Sequence, residues 1–180
     1  MSKKTIEAKN PSFIQAINIS NKWCQDWEQE LISDEVLADR ISELISTRNG
    51  LRGFFAYTLS DINCTLIDKL PTSLLFMFIE NGSPVVEIMF KNLIMSSAQI
   101  VNHERDNNHD YAEKSEIISE RCRSVLQNLD TNLVTKEAKK IIKNLNHMGN
   151  SFDHSIKYDQ EQKVFIIQQI NNLAIKKGQI

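Results

Sequence analysis

The sequence predicts an all-α protein: a single-domain multi-helix bundle of about seven or eight helices around a buried central helix at 85–101. Three observations carry that expectation. Apolar residues recur at alternating spacings of three and four along most of the chain, no segment alternates apolar and polar at period two, and several of the few glycines and prolines fall where apolar stripes begin or end. With 180 residues, 41% of them hydrophobic, the chain is long enough to build a core without disulfide or metal staples.

The first stripe follows Asn10-Pro11, a cap and first-turn pair, and runs Phe13, Ile17, Ser20, Cys24, Trp27 and Leu31. Ser33-Asp34 caps a second helix bearing Leu37, Ile41, Leu44 and Ile45, which Arg48-Asn49-Gly50 is expected to end. A short apolar element covers Leu51 to Ser60, Asp61 to Leu70 reads either way, and Pro71 opens a helix carrying the run Leu74 to Ile79. Gly82 then acts as a C-terminal cap residue, with Ser83 as N-cap and Pro84 as first helical residue. Val85 to Val101 is polar mainly at Glu87, Lys91, Asn92, Ser96, Ser97 and Gln99, so it is expected to be surrounded by other helices.

Three more stripes follow: Tyr111, Ser115, Ile118, Cys122, Val125 and Leu129; then Val134, Ala138, Ile141, Leu145 and Met148; then Val164, Ile167, Ile170 and Ala174. Asp159 and Gln162 offer the last of these a capping box. Substantial loops are expected only at Asn102–Asp110 and Asn146–Asp159. The domain reading is a flexible N-terminal segment, 1–10, followed by a single helical domain, 11–177.

Composition excludes more than it assigns. Glycine and proline are too scarce for a collagen-like or low-complexity chain, and a net charge of −2 gives no global attraction for nucleic acid, which is therefore not expected as a partner. The polar start, Met1 to Glu7, has no apolar stretch of a secretory signal. The apolar run at Leu74 to Ile79 is far short of the ~20 residues a spanning helix needs, so no membrane span is expected and the run reads as core. Cys24, Cys64 and Cys122 are odd in number, far apart and without a CxxC pair, which fits a reducing, cytoplasmic setting.

The densest set of chemistry-bearing residues is Asn102 to Asp110. Imidazole with carboxylate suits zinc, iron or manganese, and Asp106 and His109, three apart, would share a helical face. His103, Asp106, His109 and Asp110 are thus the candidate metal ligands, against the alternative that a helix simply ends there in a polar loop. The doublet His109-Asp110 resembles the centre of HD-type phosphohydrolases, without their upstream histidine. Arg105 and His109 resemble the arginine–histidine pair of HEPN ribonucleases, at a shorter spacing. Neither likeness implies a mechanism here.

A second candidate is Arg52 with Phe54, Phe55 and Tyr57. An arginine close to Gly50 and Gly53 can present its guanidinium to a carboxylate or phosphate, and the aromatics can line a partner-binding surface. The alternative is an aromatic helix that plugs the core. Charge is also segregated. Seven acids lie between Asp26 and Glu43 against one arginine, whereas eight lysines stand against four acids from Lys136 onward. Lys136, Lys139, Lys140 and Lys143 form a basic ridge that suits phosphate, a second copy's acidic face, or simply water.

Together these features predict a helical protein-binding or regulatory protein without catalytic activity, needing no cofactor. Its expected partner is another protein or a second copy of itself. The alternative is a metal-dependent hydrolase of a phosphorylated substrate, with a divalent ion at the 103–110 cluster.

Overall fold

The computed structural model describes residues 10–146 and 157–175. Among them are eight helices and no strand: α1 (Phe13–Glu28), α2 (Asp34–Ile45), α3 (Arg48–Ser60), α4 (Thr72–Asn81), α5 (Ser83–Arg105), α6 (His109–Asn128), α7 (Thr131–Asn146) and α8 (Gln160–Ile175). The all-α class is as expected. The helices cluster into two compact units, Met1–Val85 and Val86–Ile180. The segment expected to be flexible, 1–10, lies outside the described residues except for Asn10, and so do Met148 and most of the loop after Asn146.

In the first unit the governing contact is between α1 and α3. A Cβ on Gly53 would stand 2.5 Å from Ala16 Cβ and 2.9 Å from the Phe13 carbonyl oxygen, so the two backbones meet where neither side chain is large. Around that point the pairing keeps a nearly constant offset. Arg52 lies over the Phe13 ring at 5.2 Å, Tyr57 Oη donates to Asn21 Oδ1 at 3.1 Å, and Glu28 Oε1 accepts from Thr65 N at 2.8 Å. The contacts advance in the same direction along both segments, so α1 and α3 run parallel and α2 is the return between them.

The buried line of α1 is therefore Ala16, Ser20 and Cys24, small residues four apart. Ser20 satisfies its hydroxyl on the Ala16 carbonyl at 2.8 Å. The larger residues of the predicted stripe, Phe13, Ile17 and Trp27, flank this line half-buried, and Leu31 lies beyond the helix end, 67% exposed. The cap is Ser12, in a reciprocal capping box with Gln15, and not the expected Asn10-Pro11 pair.

α2 starts at the Ser33 cap and buries Leu37, Ile41, Leu44 and Ile45, as the spacing predicts. Its end differs from expectation. Arg48-Asn49-Gly50 is the first turn of α3, because the Thr47 hydroxyl accepts from Gly50 N at 3.0 Å and caps that helix instead. On α3, Phe54 and Phe55 turn inward and meet Phe78 of α4, with ring centroids 4.9–6.0 Å apart in tilted and edge-on arrangements. Residues 61–71 form an irregular connection that buries Cys64, Leu66 and Ile67. Gly82, at φ 55°, closes α4 in a conformation that side chains disfavour, and α5 begins at the next residue.

α5 is buried on most of its circumference, and between Val85 and Val101 its exposed positions reduce to a stripe four apart: Glu87, Lys91, Met95 and Gln99. Its buried serines bond back along the helix, Ser96 Oγ to Asn92 O at 2.8 Å and Ser97 Oγ to Leu93 O at 2.6 Å. Ser97 also meets Ser119 of α6 at 3.4 Å. The expected Asn102–Asp110 loop is instead a corner of three residues. Asn107 adopts φ 54° and Asn108 N bonds His103 O at 2.8 Å, a return that lets α6 start at once.

On α8 the predicted capping box is present, with Asp159 N to Gln162 Oε1 and Gln162 N to Asp159 Oδ1 both at 3.0 Å. Gln162 also faces inward, bonding Ala98 O at 3.3 Å and Asn102 Oδ1 at 2.9 Å. That sets the phase, so Ile166, Ile170 and Leu173 are the buried positions and Val164 is 56% exposed.

Gly53→Ala tests the α1–α3 contact. In an unconstrained helix that change is worth ~1 kcal/mol in favour of folding; here it is expected to destabilise by about 1–3 kcal/mol through overpacking. Adding Ala16→Gly should recover part of the loss, read as a shift in urea midpoint at constant slope.

Candidate functional site

The 103–110 cluster is brought to one corner but not to one centre. Asp106 follows α5 and His109 opens α6, so the helical face they were expected to share does not exist. The His103 ring tilts against Tyr111 with centroids 5.5 Å apart, while His109 Nδ1 lies 3.5 Å from Glu104 Oε2. Asp106, His109 and Asp110 are exposed. Among the described residues no group of three His, Cys, Asp or Glu side chains is placed to hold a metal ion. His147 and His154 lie outside the described residues.

Arg105, in the same corner, is engaged structurally. Its Nη1 and Nη2 donate to the Asp159 carboxylate at 2.6 and 3.1 Å, and its Nε and Nη2 donate to Glu161 Oε2 at 3.0 and 2.5 Å. The C-terminal end of α5 thus offers a cation to two carboxylates at the N-terminal end of α8, favourable for both helix dipoles. The Arg105 guanidinium and the Gln162 backbone N–H hold the Asp159 carboxyl well down, at about 2, and the same pair raises Arg105 above its ordinary value.

The Arg52 set separates into inside and outside. Phe54 and Phe55 are completely buried, which corrects their assignment to a partner-binding surface: edge-on and tilted contacts with Phe78 occupy them. Tyr57 is half-buried, and burial raises its hydroxyl pKa above the usual phenol range. Arg52 is exposed and covers Phe13.

The four ridge lysines are exposed on α7, opposite its buried Val134, Ile141 and Leu145, with Lys140 paired to Glu137 at 3.0 Å. Lys139 also edges a cleft of about 270 Å³ that is lined mostly by apolar groups, including Leu126, Val134, Ile142, Ile170 and Leu173. The acids of 26–43 are partly committed to local bonds: Lys22 Nζ reaches Asp26 at 2.9 Å, and Trp27 Nε1 donates to Asp34 at 2.7 Å. The Glu35 carboxyl sits below its ordinary value because its own backbone N–H and the Ser33 hydroxyl bond it. Trp27, Glu28, Glu30, Asp34, Glu35 and Lys69 border an open groove of about 810 Å³.

Sequence reasoning missed one surface. α4 buries Leu74 and Phe78 but leaves Phe76 62% and Ile79 39% exposed, three residues apart on one face. The signal was present in the run Leu74 to Ile79. Six consecutive apolar residues at 100° each pass all the way round a helix, more than a single buried face absorbs.

The Asp159–Arg105 pair makes a pH prediction. A carboxyl lowered from 3.8 to about 2 on folding contributes stability above its unfolded value and loses it as pH falls through the folded one. The stability difference between the wild type and Asp159→Asn should be constant near neutrality and fade between about pH 4 and pH 2, followed by urea unfolding at each pH.

The family described as Uncharacterised conserved protein UCP020893 matches residues 12–173, from the Ser12 cap of α1 to the last buried leucine of α8. No curated protein and no solved structure matches the chain. Among the described residues no single helix is long and apolar enough to cross a membrane. With nearly its whole helical span matched, the chain belongs to that family of conserved proteins, UCP020893.

Proposed function

We propose that this protein acts by binding rather than by catalysis, as a helical association module whose partner is a second copy of the chain, docked through α4. The exposed Phe76–Ile79 face is the observation that carries this reading. Fully burying a large apolar side chain is worth about 1.5–3 kcal/mol, so leaving an aromatic and an isoleucine side by side in water is costly unless something covers them. Phe76 has the size and rigidity of an interface anchor.

A second copy suits this face on two grounds. In a two-fold contact the same patch lies on both sides, so apolar surface meets apolar surface. Exposed Lys69 precedes α4 and exposed Glu80 lies near its end, so antiparallel pairing of two α4 helices sets opposite charges near each other at both ends. A cytoplasmic setting belongs to the same reading and is supported by three buried cysteines, none in a disulfide.

Sedimentation velocity across a concentration series is the test. The wild type should associate reversibly. Phe76→Glu should weaken that association at least about tenfold while leaving the circular dichroism spectrum and thermal midpoint unchanged. A wild type that stays monomeric to roughly 1 mM, or a Phe76→Glu variant that associates equally well, would overturn the reading.

A further inference from the structure

α7 turns two neighbouring rows of side chains toward one cleft within the second unit. Val134, Ala138 and Ile142 stand four apart and make an apolar row. Thr131, Thr135 and Lys139, also four apart, make a polar row that ends on an ammonium group. Leu126 of α6 and Ile170 and Leu173 of α8 close the other sides, and the enclosed volume is about 270 Å³. Ala138 is the reason the space exists. It is half-buried between two larger side chains of its own row, while Ile141 and Leu145 on the adjoining row fill the core.

We propose that this cleft is a binding site for a small amphipathic anion, a medium-chain carboxylate whose hydrocarbon chain lies along Val134, Ala138 and Ile142 and whose headgroup meets Lys139. Two features select that chemistry. The lining is mostly apolar and its one charged residue is a lysine, the arrangement that suits a hydrocarbon with a single anionic end. The charge around the cleft is also of one sign. Glu137 is the only acid on α7, and it pairs with Lys140 at 3.0 Å. Lys136, Lys139 and Lys143, at spacings of three and four, therefore add their potential along one side of the helix. Thr135, one turn before Lys139, is a hydroxyl donor for the same headgroup.

Size narrows the ligand further. The volume lies just below the ~300–1,000 Å³ of ordinary small-molecule sites, too little for a nucleotide or a two-chain lipid. The rows from Thr131 to Ile142 run about 16 Å along the helix axis, room for an extended chain of about eight to ten carbons. The site is built wholly from α6, α7 and α8, so it is independent of the association proposed through α4.

The test titrates the intact chain with sodium decanoate, read by calorimetry and by amide hydrogen exchange. A single equivalent should bind, and residues 131–142 and 166–173 should gain protection. Shortening the chain to octanoate should weaken binding roughly tenfold. Lys139→Glu should weaken decanoate binding at least about fivefold with the thermal midpoint unchanged. Decyltrimethylammonium, the same chain with the opposite charge, should not displace the carboxylate. Ala138→Leu, which fills the cleft, should abolish binding, and the Lys139→Glu and exchange results decide the matter if that variant does not fold. No saturable binding up to about 1 mM decanoate, displacement by the cationic chain, or protection confined to α4 would overturn the proposal.

Discussion

The first unit depends on how closely α1 and α3 approach at Gly53 and Ala16. With no Cβ on one side and a single methyl on the other, the helices can run parallel in a register that the rest of both helices inherits. That register sets Tyr57 against Asn21 and Glu28 against Thr65. It also turns Phe54 and Phe55 away from solvent and toward Phe78, which seats α4 by one face. α4 has more apolar circumference than that seat uses. Its exposed Phe76 and Ile79 are therefore a consequence of packing geometry and not an isolated surface accident.

In the second unit the residues that looked most like chemistry serve architecture. Arg105 spends its guanidinium on Asp159 and Glu161, and the Asp159–Gln162 capping box sets the starting phase of α8. Gln162 then couples that start to α5 through Ala98 and Asn102. The two histidines of the corner find a tyrosine ring and a glutamate respectively. Polar residues crowd this corner because two helix ends meet in it, and helix ends leave backbone groups that need polar partners.

What was legible in the sequence was whatever one helix decides locally. The Ser33 cap, the α2 stripe, the Gly82 stop and the Asp159–Gln162 box are each determined within a few residues, and each appears where the pattern puts it. What was not legible depends on a neighbouring helix. Ser20 and Cys24 lie on the stripe that spacing picks out, but Ala16 joins them in the buried seam only because Gly53 faces it. Val164 reads as core until Gln162 takes the inward position. Arg48-Asn49-Gly50 resembles a helix stop, but Thr47 caps a new helix there. The candidate sites follow the same division: exposure of the ridge lysines was readable from periodicity, whereas burial of Phe54 and Phe55 and exposure of Phe76 were set by tertiary packing.

The central claim is that the unseated face of α4 is where this protein meets its partner. Amide hydrogen exchange followed across a range of protein concentrations measures that surface directly, without any substitution. The account predicts that residues 72–81 gain protection as concentration rises while the lysine ridge at 136–143 stays unchanged. Protection that appears on the ridge instead, or no change along α4 at any concentration, would contradict it.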